Sequence, residues 1–306
     1  MTTMDSTTAL AREAVPDRPN PLGLAGIEFV EYVTDRPQAL GQVLESMGFQ
    51  PVARHRSREV LLYRQGGMNL VVNAHPEDAR VSQVAPGSAP VLAAVAFRVH
   101  DAERAHRRCL DLGAWDVPTH PRAMELVIPA IRGPGSARFH FVDRWRDFSV
   151  FDIDFTPIPT VHQRPPALAG MDYFGVVQYI GAYRTEEWLA YFSRLFAFEV
   201  LSDAQRFGIM PKGTLLRSPC GRFFWQLVEP ESVGDQLQEQ ESLQRLGLGV
   251  ADVAEAVALL RARGVGFVDA TELHPDDRGA ITQPVLGGVT FELVHRDRHV
   301  RPEADA

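Results

Sequence analysis

Ala94-Val95-Ala96-Phe97-Arg98-Val99-His100-Asp101 has a counterpart in the second half of the chain, Arg245-Leu246-Gly247-Leu248-Gly249-Val250-Ala251-Asp252. Each alternates apolar with small or polar residues, the period of a strand with one buried face. Each ends on an Asp suited to cap the helix that follows. Those helices carry Ala102, Ala105, Cys109 and Leu112 in one copy and Val253, Ala256, Val257 and Leu260 in the other, closing at Gly113 and Gly264. In the second strand Leu246, Leu248 and Val250 form the apolar face, which turns Arg245 to the side of Gly247 and Gly249.

The repetition extends outward. Gly26-Ile27-Glu28-Phe29-Val30 answers to Gly170-Met171-Asp172-Tyr173-Phe174. A helical stretch with Leu40, Val43, Leu44 and Met47 runs into Gly48-Phe49, and one with Trp188, Phe192 and Leu195 runs into Ala197-Phe198. Val150-Phe151-Asp152-Ile153-Asp154 is matched to Thr290-Phe291-Glu292-Leu293-Val294. Self-similarity on this scale predicts an α+β chain of two modules built alike. The expected division is a disordered tail over 1–20, a first module over 21–156, a Pro-rich linker over 157–168, a second module over 169–297 and a tail over 298–306.

The 306 residues suffice for two ordinary domains. With 31 basic and 39 acidic residues, a net charge of −8 and no Lys/Arg block, neither nucleic acid nor an anionic membrane is an expected partner. Cys109 and Cys220 lack the spacing of a metal or redox motif and read as reduced thiols of a cytoplasmic protein. The first twenty residues lack the basic start and apolar core of a secretory signal, and no apolar run approaches the ~18 residues that span a bilayer.

Asn20-Pro21-Leu22-Gly23-Leu24, His55-Arg56-Ser57, Leu62-Tyr63-Arg64-Gln65-Gly66, Met124-Glu125-Leu126 with Pro129-Ala130-Ile131, and Phe151-Asp152-Ile153-Asp154-Phe155 carry a further signal. With them the chain resembles 4-hydroxyphenylpyruvate dioxygenase, of the vicinal-oxygen-chelate (glyoxalase/bleomycin resistance/dioxygenase) superfamily. It is also similar to the C-terminal half of bacterial two-domain 3-dehydroshikimate dehydratases. The resemblance spans residues 20 to 296 and implies two modules of paired βαβββ units, each a cup-like curved sheet. It implies a structural first cup and a second cup holding Fe(II) on two His and one carboxylate. In the first cup the positions matched to that triad are Phe29, Ala94 and Asp152.

At the positions the resemblance assigns to iron, this chain carries Tyr173, Arg245 and Glu292, so only the carboxylate is left. A tyrosinate binds iron, but guanidinium has no lone pair to offer and stays protonated. Unit charges ~4 Å apart at an effective dielectric of ~20 interact by about 4 kcal/mol, roughly doubled beside a divalent ion. The expectation is an Arg245–Glu292 ion pair in the metal's place, with the Tyr173 hydroxyl donating to the carboxylate. Gln244 and Gln283 match amides that the resemblance turns toward substrate, and Val228 stands where the family keeps a polar Asn. Fourteen residues follow Glu292, fewer than the lid helix of the active family would take. The other histidines, scattered along the chain, read as surface or structural imidazoles.

Three readings follow. The first is a relative that has lost iron and oxygenase activity and binds a small aromatic or 2-oxo acid. The second is an Fe(II) dioxygenase of aromatic amino acid metabolism with an unusual ligand set. The third is a structural partner contributing a sheet edge to a homo-oligomer.

Overall fold

The computed structural model describes residues 20–78, 80–81, 85–118, 125–146, 148–202, 213–230, 241–268 and 279–296. The expected tails, apart from Asn20, lie outside them. Asn20 is tied down, its side chain exchanging hydrogen bonds of 2.8 Å with the backbone of Leu24.

The first half runs β1 (Gly26–Val33), α1 (Pro37–Ser46), β2 (Gln50–His55), β3 (Val60–Gln65), β4 (Met68–Asn73), β5 (Val91–Arg98), α2 (Ala102–Asp111), β6 (Ala130–Arg132), β7 (Arg138–Val142), α3 (Phe151–Asp154) and β8 (Phe155–Pro157). The second half runs β9 (Asp172–Tyr179), α4 (Thr185–Phe196), β10 (Glu199–Val200), β11 (Thr214–Arg217), β12 (Phe224–Val228), β13 (Ser242–Val250), α5 (Val253–Ala262), β14 (Gly279–Ile281) and β15 (Phe291–His295). Pro37 opens α1, where its missing N–H has no intrahelical partner to lose. Asp101 and Asp252 cap α2 and α5, accepting from the backbone N–H of Arg104 at 2.8 Å and of Glu255 at 3.0 Å.

Pairing repeats between the halves. β5 lies antiparallel to β1 and parallel to β7, and β1 lies parallel to β4, which continues antiparallel to β3 and β2. β13 relates to β9 and β15, and β9 to β12, β11 and β10, in the same senses. Each half is thus two βαβββ-type units sharing one curved sheet, with β8 added at the edge of the first. The halves join into one sheet where β5 meets β13, through Leu92 and Leu243.

Behind this junction the two halves share a core. Leu40 and Leu44 of α1, Cys109 of α2, Phe192 and Phe196 of α4 and Leu260 of α5 all enter it. Its centre is aromatic. Phe97 from the first half has ring centroids 5.5 Å from Phe196, 5.6 Å from Phe223 and 6.1 Å from Trp225 of the second. Phe139 lies 5.4 Å from Trp225. A separate apolar cluster, including Phe29, Val71, Phe151 and Phe155, lines the concave side of the first half.

One expectation is corrected here. Residues 151–154 are not the counterpart of β15: they form one helical turn, because Ser149 and Asp152 bond the local backbone. Asp152 accepts from Ser149 N–H at 2.8 Å, and the Ser149 hydroxyl accepts from Phe151 N–H at 3.2 Å. The counterpart of β15 is β7, since both run parallel to the strand that carries the opening repeat. Residues 157–168 also do more than connect. Gln163 donates to the carbonyls of Val52 and Ile158 at 3.1 and 3.0 Å, and Gly66 N–H donates to Pro165 at 2.9 Å.

No helix among the described residues is long and apolar enough to cross a membrane. Because the core is shared, Phe97→Ala is expected to cost about 3–5 kcal/mol. It should lower both halves together, in one thermal transition followed by circular dichroism and tryptophan fluorescence.

Candidate functional site

Register decides which side chains meet. Leu246, Leu248 and Val250 are fully buried in the shared core, so Arg245 turns to the concave face of the second half. On β15, Phe291 and Leu293 enter the same core and Glu292 turns to Arg245's side. The Arg245 Nε donates to Glu292 Oε2 at 3.0 Å, and both side chains are 5% exposed. The expected ion pair is therefore present and buried. Arg245 Nη2 is also buried and has no hydrogen-bond partner.

Tyr173 is not with them. β9 pairs Gly175 with Gly247 and Tyr173 with Leu248, so Phe174 is an extra residue and the strand bulges there. The bulge flips the faces: Tyr173 enters the shared core, and its hydroxyl donates to the Asn69 carbonyl of β4 rather than to Glu292. Burial pushes its phenol well above the usual range, so it stays protonated. Gln244 is half-buried at a register shift between Leu243 and Arg245. Gln283 is exposed, its backbone N–H donating to Gly266 at 2.9 Å. Neither amide borders the space beside Glu292.

That space is small. Phe174 stacks on Phe224 with centroids 4.9 Å apart, and with Val177, Leu215 and Gln226 they leave about 30 Å³ next to Glu292. This accommodates water and excludes an organic substrate, whose sites run from about 300 Å³ upward. Gly175 lets β9 lie close to its neighbour β12, because a Cβ there would meet the Phe224 carbonyl oxygen at 2.5 Å.

The first cup differs. It encloses a cavity of about 540 Å³. Aligning β5 with β13 places Ala94 at the position of Arg245 as expected, but Phe29 at that of Gly175 and His140 at that of Glu292. Sequence reasoning passed over His140 as a scattered imidazole. The signal was the alternating strand Arg138-Phe139-His140-Phe141-Val142 after the turn at Gly133-Pro134-Gly135, parallel in pattern to the last strand after Leu286-Gly287-Gly288. Beside His140, Arg80 donates to Glu31 at 2.5 and 2.9 Å and to Asp78 at 2.7 Å, while Asn73 donates to both carboxylates. Burial alone would raise the Glu31 carboxyl; the Arg80 charge and these hydrogen bonds override it and hold the group below its usual range. Burial drives the His140 imidazole down to about 4 despite the Glu31 charge.

Fold and site together define a two-module protein of the vicinal-oxygen-chelate kind, with one cup closed by an ion pair and the other open. Residues 19–156 match the family model described as "Hydroxyphenylpyruvate dioxygenase, HPPD, N-terminal". The chain is 36% identical over 243 residues to 4-hydroxyphenylpyruvate dioxygenase of Pseudomonas sp. (strain P.J. 874), covering 77% of this chain and 66% of that protein. It is 30% identical over 327 residues to the enzyme of that name from Pseudomonas aeruginosa, covering 90% of this chain and 89% of the relative. Among solved structures, a xylose isomerase-like TIM barrel/4-hydroxyphenylpyruvate dioxygenase fusion protein superposes with a TM-score of 0.72 at 22% identity, over 94% of this chain and 51% of the other. The chain belongs to the 4-hydroxyphenylpyruvate dioxygenase family.

The residues at the family's iron position do not fit that metal. Of the three, one is a guanidinium without a lone pair, one is a phenol bonded elsewhere, and the carboxylate already accepts from the guanidinium.

Two outcomes are expected. Breaking a buried pair strands a charge, at about 3–5 kcal/mol. Arg245→Ala and Glu292→Ala should each lose that much in urea denaturation, while the double variant Arg245→Met with Glu292→Leu recovers most of it. For His140, the unfolded state takes up its proton near the ordinary 6.5 and the folded state only near 4. Its contribution is therefore present above pH 6.5 and lost as pH falls. Between pH 6.5 and about 4.5 the wild-type protein should lose roughly 2 kcal/mol that His140→Gln does not lose, as read by urea midpoints at each pH.

Proposed function

We propose that this chain is a family member whose second cup has exchanged iron for a buried ion pair, and that it binds a small aromatic or carboxylate molecule without oxygenating it. The observation that carries this reading is the Arg245–Glu292 contact at 3.0 Å, both groups buried. A fixed cation stands where a divalent cation would have to sit, and the only carboxylate of the former set neutralises it. The small volume beside Glu292 supports the same reading, since substrate and metal need that space together. The contacts expected of Tyr173, Gln244 and Gln283 form no part of it: one is in the core and two lie away from Glu292.

Chemistry on oxygen in this family would need Fe(II) to pass electrons to dioxygen, with a 2-oxo acid as the other reductant. What this chain's residues do instead is hold charge still. Arg245 and Glu292 neutralise one another's charge through one hydrogen bond, with the stacked Phe174 and Phe224 beside Glu292.

The test is anaerobic loading with excess Fe(II), removal of unbound metal, and measurement of iron by mass spectrometry and of oxygen uptake with 4-hydroxyphenylpyruvate. Iron well below one per chain and oxygen uptake at background are expected. Stoichiometric iron that disappears in Glu292→Ala would instead establish a dioxygenase with an unusual ligand set.

A further inference from the structure

The two cups share one architecture and are unequally filled. Among the described residues, the space beside Glu292 in the second is about 30 Å³, while the first holds about 540 Å³, within the roughly 300–1,000 Å³ of small-molecule sites. The floor of the first is a file of rings. His140, Phe29, Phe151, Phe155 and His55 follow one another at centroid separations of 5.9, 5.9, 5.6 and 5.2 Å. Such a floor offers faces and edges to a flat unsaturated ligand.

Of the cations on the rim, Arg80 and Arg58 are each matched by carboxylates. Arg80 is forked across Glu31 and Asp78, and Arg58 is held by Glu125. Asp154 accepts from the Leu126 N–H at 3.2 Å. Arg138 lies two residues before His140 on the same strand face and borders the same cavity, half-buried. Among the described residues its side chain makes no hydrogen bond and no ion pair. Glu31 and Asp78 are near enough to act on it through their charge, yet the hydrogen bonds of both go to Arg80. A partly desolvated guanidinium presents donors in a planar fork, and the group that matches the fork is a carboxylate.

We propose that the first cup is a binding site for a small aryl carboxylate, its carboxylate on Arg138 and its ring on the floor formed by Phe29 and Phe151. The proposal locates the ligand that the reading above calls for, and it is independent of whether the second cup holds metal.

Isothermal titration of the full chain, kept in chelator, with 3-phenylpropionate tests it. The uncharged 3-phenylpropanamide serves as the comparison. The acid is expected to bind wild-type protein at least tenfold more tightly than the amide. In Arg138→Gln that preference should vanish, with acid affinity down at least tenfold, while Arg245→Met with Glu292→Leu binds the acid as wild type does. The acid–amide comparison needs no variant to fold, and near-UV circular dichroism checks that Arg138→Gln does. Acid binding that survives Arg138→Gln but is lost in the second-cup double variant would move the site to the second cup and overturn the proposal, leaving the non-oxygenase reading in place. No binding of the acid by folded wild-type protein at millimolar concentration would mean that the first cup holds water only, and would also overturn it.

Discussion

The packing of Phe97 and Phe139 against Phe196, Phe223 and Trp225 is the constraint on which the rest of the molecule depends. Rings from both halves fill one volume, so neither half buries its convex face alone. The backbone contact between the halves is slight, the single pairing of Leu92 with Leu243. What joins them is apolar area behind the sheet, reinforced by the Tyr173 hydroxyl on the Asn69 carbonyl. With the convex sides committed, the two concave sides are left to carry polar chemistry.

Those concave sides have diverged in opposite directions. In the second, Phe174 stacks on Phe224 and the Arg245–Glu292 pair lies beside them. In the first, Phe29 replaces the glycine and His140 replaces the glutamate, and the polar groups are pinned outward by Arg80 and Arg58. Among the described residues the first cup therefore keeps a large cavity, while little space is left beside Glu292 in the second. Charge follows the same division. The second cup pairs a cation with a carboxylate through one hydrogen bond, whereas in the first the Arg138 side chain contacts no anion among the described residues.

Tyr173 shows how a family position can change its role without leaving its place in the chain. A bulge of one residue reverses the face a side chain takes. The large phenol is better placed in the aromatic core, where it finds a backbone acceptor, than beside a guanidinium and a carboxylate that satisfy each other. β1 carries the matching bulge, with Glu28 the extra residue between Ile27 and Phe29, so what differs in the second cup is that the extra residue is the aromatic Phe174.

The Arg245–Glu292 pairing was an expectation of the family resemblance, whereas the sequence by itself determined the α+β class, the twofold repetition and the helices capped by Asp101 and Asp252. These last rest on local periodicity and capping chemistry, which neighbouring residues specify. It did not determine the partner of β15, because an alternating pentapeptide at 150–154 and another at 138–142 are equally plausible strands until Ser149 and Asp152 bond the local backbone. Nor did it determine the direction of Tyr173 or the placing of His140 opposite Glu31. Those follow from a bulge and from a register between strands far apart in sequence, and a shift of one residue reverses every side chain. Only the tertiary structure decided which cup stays open, since that volume is what remains after side chains from many strands have packed.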